Sequence, residues 1–284
     1  MTRWAEVVEQ ARQVATGYES RVTLRQLFYR LCSLGVIPNR PAAYRKLSAK
    51  IAESVRAGRG PELVDLTRQI HVPRSWPDAD AALADLPNLF RLDRTRDQAC
   101  AVYLCAEKDT LRALFEEWVG ELGIPVLVSR GYGSESYARM VRDRATAEQR
   151  PKVLAYVGDA DASGEDVMRD WITRTNCWDH IEHIALTVDQ ARRLELPAAV
   201  GKSSDPRWPA FAARHGLDPG LPVQWEVEAL DPAELRDIVW QILDRYTDRD
   251  VLAAVLSAEA RERRQLEALY RAWRRAVHGD GDTV

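Results

Sequence analysis

The spacing of apolar residues changes twice along this chain. Near the start, Trp4, Val7, Val8, Ala11 and Val14 recur at three- and four-residue intervals, which predicts a helix over residues 2–17. TLRQLFYRLCSLGVI continues the same period as a second helix, with Thr23 as its N-cap and Gly35 as its stop. IPNRPAAYRKLSAKIAESVRAGRG starts a third, with Asn39 or Arg40 at the cap and Pro41 in the first turn. On this helix Tyr44, Leu47, Ile51 and Val55 share one face, and Arg45, Lys46, Lys50 and Arg56 lie on the other side.

Periodicity then lapses. Residues 71–99 hold three prolines and read as a linker with a short helix. Beyond them, short apolar runs alternate with helical patterns. AVYLCAEK, IPVLVSRGYG, KVLAYVGDADAS and IEHIALT read as strands. TLRALFEEWVGEL, SESYARMVRDRATAEQ and GEDVMRDWITRT read as the helices between them. This alternation predicts an α/β domain with a parallel sheet covered on both faces. VQWEVEAL reads as one further strand, residues 232–246 and 248–277 as closing helices, and HGDGDTV as a frayed tail. The boundaries fall at 1–75, a 76–99 linker, and 100–284.

Charge sharpens this division. Net charge is −3, yet residues 1–75 carry 13 Lys/Arg against 6 Asp/Glu, and the rest 27 against 37. A basic front and an acidic back suggest a polyanion-binding module joined to a domain that holds cations. The basic face of the third helix suits a helix laid across a DNA groove, with Arg45, Lys46 and Lys50 as backbone contacts; a solvated basic surface is the alternative. No apolar run approaches the length of a membrane helix, and the N-terminus lacks a signal-peptide pattern, so a cytoplasmic protein is expected. Cys32, Cys100, Cys105 and Cys177 form no CxxC pair, and the five His residues form no cluster. Buried free thiols are the expectation, and a His-based site is not.

The densest chemistry lies in KVLAYVGDADASGEDV, where Asp159, Asp161, Glu165 and Asp166 put four carboxylates within eight residues. In open α/β sheets functional groups gather at the C-terminal ends of strands. Glu107, Asp159 and Asp161 would meet there, and carboxylates so close repel unless a cation lies between them. Hard divalent ions suit such oxygens, so the triad is a candidate Mg2+ or Mn2+ site. The alternative is that Asp159 and Asp161 cap the next helix, with Glu165 and Asp166 favouring its dipole. Asp-x-Asp also opens haloacid-dehalogenase-type phosphatases, but on their first strand rather than the third. There is no GxxxxGK[ST] phosphate loop.

Glu107 after one strand and Asp159-x-Asp161 plus Gly two strands later resemble the Toprim domain of topoisomerases and primases. AEKDTLRALF, SRGYGSESYARMV and GDADASGEDV together resemble the A subunit of topoisomerase VI and the related meiotic double-strand-break proteins. TLRQLFYRL resembles that family's winged-helix signature, in which an Arg precedes the catalytic Tyr by four residues; here these are Arg25 and Tyr29. AVGKSSDPRWPAFAARHG followed by WEVEALDPAELRDIV resembles the segment after the Toprim core, so the resemblance spans about residues 20–245. The fold it implies is an N-terminal helical winged-helix (CAP-like) domain, then a Toprim-type parallel-sheet α/β domain with C-terminal helices. By spacing alone, Tyr29 reads equally as a core aromatic beside Leu24, Leu27, Phe28 and Leu31.

The resemblance implies a nucleoid-associated, type IIB topoisomerase-like double-strand DNA cleavage. Tyr29 would form a 5′-phosphotyrosyl bond and release a 3′-hydroxyl, with Arg25 stabilising the phenolate or the phosphoryl charge. Metal on Glu107, Asp159 and Asp161 would orient the phosphate; Glu107 could instead act as general acid or base, and Lys108 could contact phosphate. The family's Tyr and metal site come from different subunits, which implies a homodimer. This short chain shows no ATPase segment, so either a separate ATPase subunit supplies that function or the protein only cuts, as a reduced stand-alone branch of the family. Two alternatives share the fold: a plasmid-defence-type Toprim nuclease hydrolysing DNA by metal-activated water, and a non-catalytic DNA-binding protein.

Overall fold

A computed structural model describes residues 4–18, 22–65 and 70–278. Three helices come first: α1 (Trp4–Thr16), α2 (Leu24–Ser33) and α3 (Pro41–Arg56). Thr23 caps α2 in a full capping box, its side chain accepting from the Gln26 amide while Gln26 reaches back to the Thr23 N–H. Gly35 ends the turn after α2 at φ +68°, a conformation that costs glycine nothing. α3 starts at Pro41 with Arg40 at the cap.

Leu27, Phe28, Tyr29, Leu31, Leu47 and Ile51 pack with Val7 and Ala11 into one helical core. Val55, expected on the buried face of α3, is 51% exposed and takes no part in this core. No strand occurs among the described residues of 4–65, so the three helices carry no described β-wing.

The segment expected as a linker is docked. It forms α4 (Ala79–Leu89), capped by Asp78, and packs along the closing helix α11 (Arg249–His278). Arg94 and Arg263 both pair with Glu259, and Tyr270 donates to Asp80.

The parallel sheet takes the order β2 (Val126–Val128), β1 (Ala101–Ala106), β3 (Lys152–Val157), β4 (His180–Ala185). β1 and β3 are buried along nearly their whole length, as central parallel strands covered on both faces must be, while the edge strand β4 is buried only at its C-terminal end. Alternation splits β1: Val102, Leu104 and Ala106 face one core, and Ala101, Tyr103 and Cys105 the other. α5 (Asp109–Val119) and α10 (Pro232–Tyr246) cover the first face. α6 (Glu135–Ala147) and α7 (Ala162–Thr175) cover the second.

The chain steps from β1 outward to β2, then returns past β1 to β3. Right-handed crossovers force the helices onto opposite faces when this direction reverses, and the reversal opens a crevice at the C-terminal ends of β1 and β3. Beyond β4 come α8 (Val188–Arg193) and α9 (Trp208–His215), with a small antiparallel pair, β5 (Ala199–Val200) and β6 (Val223–Gln224).

VQWEVEAL is not a strand of the main sheet. Only Val223–Gln224 is a strand; Trp225 bridges Ala160, and Val227–Ala229 forms a tight 3-10 turn that packs under α2. The four cysteines are unpaired, and Cys105 alone is fully buried. The tail residues 279–284 lie outside the described residues. No described helix is long and apolar enough to cross a membrane.

Candidate functional site

Register builds the centre of the site. Ala106 pairs with Val157, so Glu107 and Gly158 leave the sheet side by side. The Asp159 amide then donates to Glu107 Oε2 at 2.9 Å. Two glycines make room for that carboxylate. A Cβ on Gly158 would lie 2.7 Å from Glu107 Oε2, and one on Gly164 would lie 2.4 Å from the Asp159 carbonyl.

The three expected acidic residues do meet, and each has a separate structural task. Asp161 caps α7, accepting from the Gly164 amide at 2.7 Å, so the helix-cap alternative holds for it. Asp159 Oδ1 accepts from the Val227 amide at 2.9 Å, and its Oδ2 lies 2.6 Å from Lys108 Nζ. Burial raises the Asp159 pKa to about 7, against the pull of Lys108 and with Glu226 and Glu107 adding repulsion. Burial also raises Glu107, with the Asp159 amide and Lys108 opposing.

Two carboxylates escaped the sequence reading. Glu226 and Glu228 flank Val227 at the start of the 3-10 turn. Lys108 pairs with Glu226 as well as Asp159. Arg25 reaches the same two glutamates from α2: its Nη2 is 3.3 Å from Glu226, and its Nε 3.1 Å from Glu228. Burial works against the Lys108 charge, but Asp159 and Glu226 hold it protonated, above the ordinary lysine value.

Tyr29 belongs to this network. Its ring is core, 6% exposed and edge-on to Phe28 at 5.3 Å, and its hydroxyl lies beside the Arg25 guanidinium. Burial first, and Glu226 next, raise its pKa to about 12, while Arg25 and Lys108 pull it down. The core-aromatic reading of Tyr29 holds, and its hydroxyl lies beside the Arg25 guanidinium.

Among the described residues no group of three His, Cys, Asp or Glu is placed to hold a metal ion. Asp159 is committed to Lys108 and Val227, and Asp161 Oδ1 to α7. As arranged, the triad does not fit a three-carboxylate metal centre, and the Lys108 ammonium supplies the cation. The triad opens on a cavity of about 420 Å3 that Lys202 and Arg207 also line, joining acidic and basic groups at the strand ends.

The expected DNA-contact residues fare unequally. Arg45 is exposed beside Tyr44; Lys46 lies over the Trp4 ring at 5.2 Å; Lys50 pairs with Glu53 at 2.7 Å. The signal for this pair is WEVEAL, where two glutamates alternate with apolar residues, a pattern that reads as one further strand. No protein-family model matches the chain, and no curated protein matches its sequence.

Proposed function

We propose that this chain cleaves DNA by attack of Tyr29 on a backbone phosphate. One observation carries the reading: Arg25 ties Tyr29 to Glu226 and Glu228, and Lys108 ties Glu226 to Asp159. The tyrosine and the acidic strand ends, far apart in sequence, thus share one electrostatic network. The Tyr29 oxygen forms the new P–O bond, the P–O3′ bond breaks, and the leaving oxygen ends as a 3′-hydroxyl. Arg25 stabilises the phenolate and the charge gathering on phosphorus. Lys108 balances the carboxylates around Asp159, and Arg45 supplies backbone affinity with little sequence choice.

This reading differs from the resemblance in one respect. Tyr29 meets the acidic cluster of its own chain, so a homodimer is not needed to complete the site. A homodimer and an ATPase partner belong to the reading as additional assembly, for strand pairing and duplex passage.

A second reading is hydrolysis by a Toprim nuclease, and the burial of Tyr29 favours it. A phenol at about 12 is a poor nucleophile near neutral pH. One experiment separates the two. Supercoiled plasmid is incubated with the protein and Mg2+ or Mn2+, stopped with SDS, and split with and without protease before electrophoresis. The tyrosine reading expects cut DNA that enters the gel cleanly only after protease, and loses it in Tyr29→Phe. Free ends without protease, unaffected by Tyr29→Phe, establish hydrolysis instead. Intact plasmid under all conditions removes both.

A further inference from the structure

A second, larger cavity borders the acidic network, with Arg25 and Glu226 in its lining. About 710 Å3 of space lies between α2, the first turn of α3 and the β5–β6 pair. Phe28, Tyr29 and Tyr44 line one side, Arg40 and Arg45 its edge, and Val200 and Gln224 the facing wall. It is distinct from the smaller cavity beside Asp159 and Asp161.

Its lining is unusual for a surface that meets duplex DNA. The rings of Phe28 and Tyr44 meet nearly edge to face, 5.2 Å apart at 84°, so neither is stacked on the other. Tyr44 is only half-buried, and its ring is the most accessible of the three. Val200 stands 87% exposed on the facing wall. Arg40, the N-cap of α3, makes no side-chain cap, and the positive end of the helix dipole lies beside it at the cavity edge.

Access to Tyr29 adds a steric argument. Tyr29 is 6% exposed and forms part of this cavity wall. An intact duplex carries its phosphates on a convex surface with the bases paired inside. It cannot lower a phosphate into an apolar recess to reach a buried hydroxyl. A single strand, or a nucleotide turned out of the helix, can enter such a recess and bring a base against an aromatic face.

We propose that this cavity seats one unpaired nucleotide of the DNA strand presented to Tyr29. The base packs against Tyr44 opposite Val200, and the flanking phosphates lie toward Arg40 and Arg45. Aromatic faces bind any base, so the site selects strand state rather than sequence. The proposal rests on the DNA-cleaving reading and assigns that site its substrate: single-stranded or locally opened DNA.

The test measures binding alone, in EDTA, by fluorescence anisotropy of the full chain. The probes are labelled DNAs of about 16 nucleotides: a single strand, its blunt duplex, and that duplex with one bulged nucleotide. The single strand and the bulge should bind about tenfold or more tightly than the blunt duplex, the loss expected for one stacked base. Tyr44→Phe should keep this preference and Tyr44→Ala should lose it. Val200→Trp, which fills the recess from an exposed position without touching the core, should lose it with an unchanged melting temperature. Equal affinity for all three DNAs overturns the proposal and leaves the cleavage reading standing, as does a preference that survives both Tyr44→Ala and Val200→Trp. Binding to none of the DNAs overturns both.

Discussion

Lys108 Nζ lies 2.6 Å from Asp159 Oδ2 and also pairs with Glu226, so one ammonium joins the end of the sheet to the turn that supports α2. It occupies the place where the crowded carboxylates call for a cation. Lys108→Met should destabilise the protein by about 3 kcal/mol, because the buried Asp159 loses its counter-charge and Glu226 keeps only Arg25. The check is urea unfolding with and without Mn2+. Mn2+ should recover stability in Lys108→Met and change wild type much less, since the ion then enters the position that Lys108 fills. No differential recovery would show that the acidic cluster does not take a divalent ion.

Gly158 and Gly164 shape the pocket around Glu107. Gly164→Ala places a Cβ 2.4 Å from the Asp159 carbonyl, a backbone atom that cannot move cheaply, and should cost about 1–3 kcal/mol. Gly158→Ala meets Glu107 Oε2 at 2.7 Å and Tyr156 Cε1 at 2.8 Å. Adding Glu107→Ala should relieve part of the Gly158→Ala cost and none of the Gly164→Ala backbone clash. A double-mutant cycle by denaturant unfolding reads the difference.

Arg25 is the link between Tyr29 and the two glutamates. Arg25→Ala should lower single-turnover cleavage by about 10²–10³-fold, the scale for losing one preorganised donor at a developing charge. Because Tyr29 sits beside its own chain's acidic cluster, Tyr29→Phe mixed with Glu107→Gln should stay inactive. Restored cutting in that mixture would place the reacting Tyr and carboxylates on different chains.

Glu259 anchors the docked segment through a pH-dependent contact. Its side chain is 3% exposed, and it accepts from Arg94 Nη2 at 2.8 Å and from the Leu92 amide at 3.1 Å. The Arg94 hydrogen bonds chiefly lower its pKa to about 2. An unfolded glutamate titrates near 4.3. The folded value is the lower one, so this stabilisation is complete above about pH 4.3 and is lost as pH falls toward 2. Glu259→Gln should cost about 2–3 kcal/mol near pH 7 and flatten the stability profile between those two values. Thermal melts from neutral to acid pH measure both.

Much of this was legible along the chain because it is decided by neighbours a few residues apart. Thr23 and Gln26 make a capping box, Pro41 starts α3, and Asp161 caps α7 three residues before Gly164. The strand–helix alternation from residue 101 to residue 185 likewise fixed the strand ends, and with them the meeting of Glu107 and Asp159. The contacts that define the site have no such local signature. Arg25 and Glu226 are 201 residues apart, and Lys108 and Glu226 are 118 apart. A period-2 pattern made WEVEAL read as a strand, whereas the bridge to Ala160 and the packing under α2 hold it as a tight turn. Proline and broken periodicity make residues 71–99 read as a linker with a short helix; the helix is there, capped by Asp78, and what the pattern does not show is that α11 holds it in place. Hydrophobic period and caps determine which elements form; which charges neutralise one another depends on how the finished elements pack, since ion pairing acts through space and leaves no period in the chain.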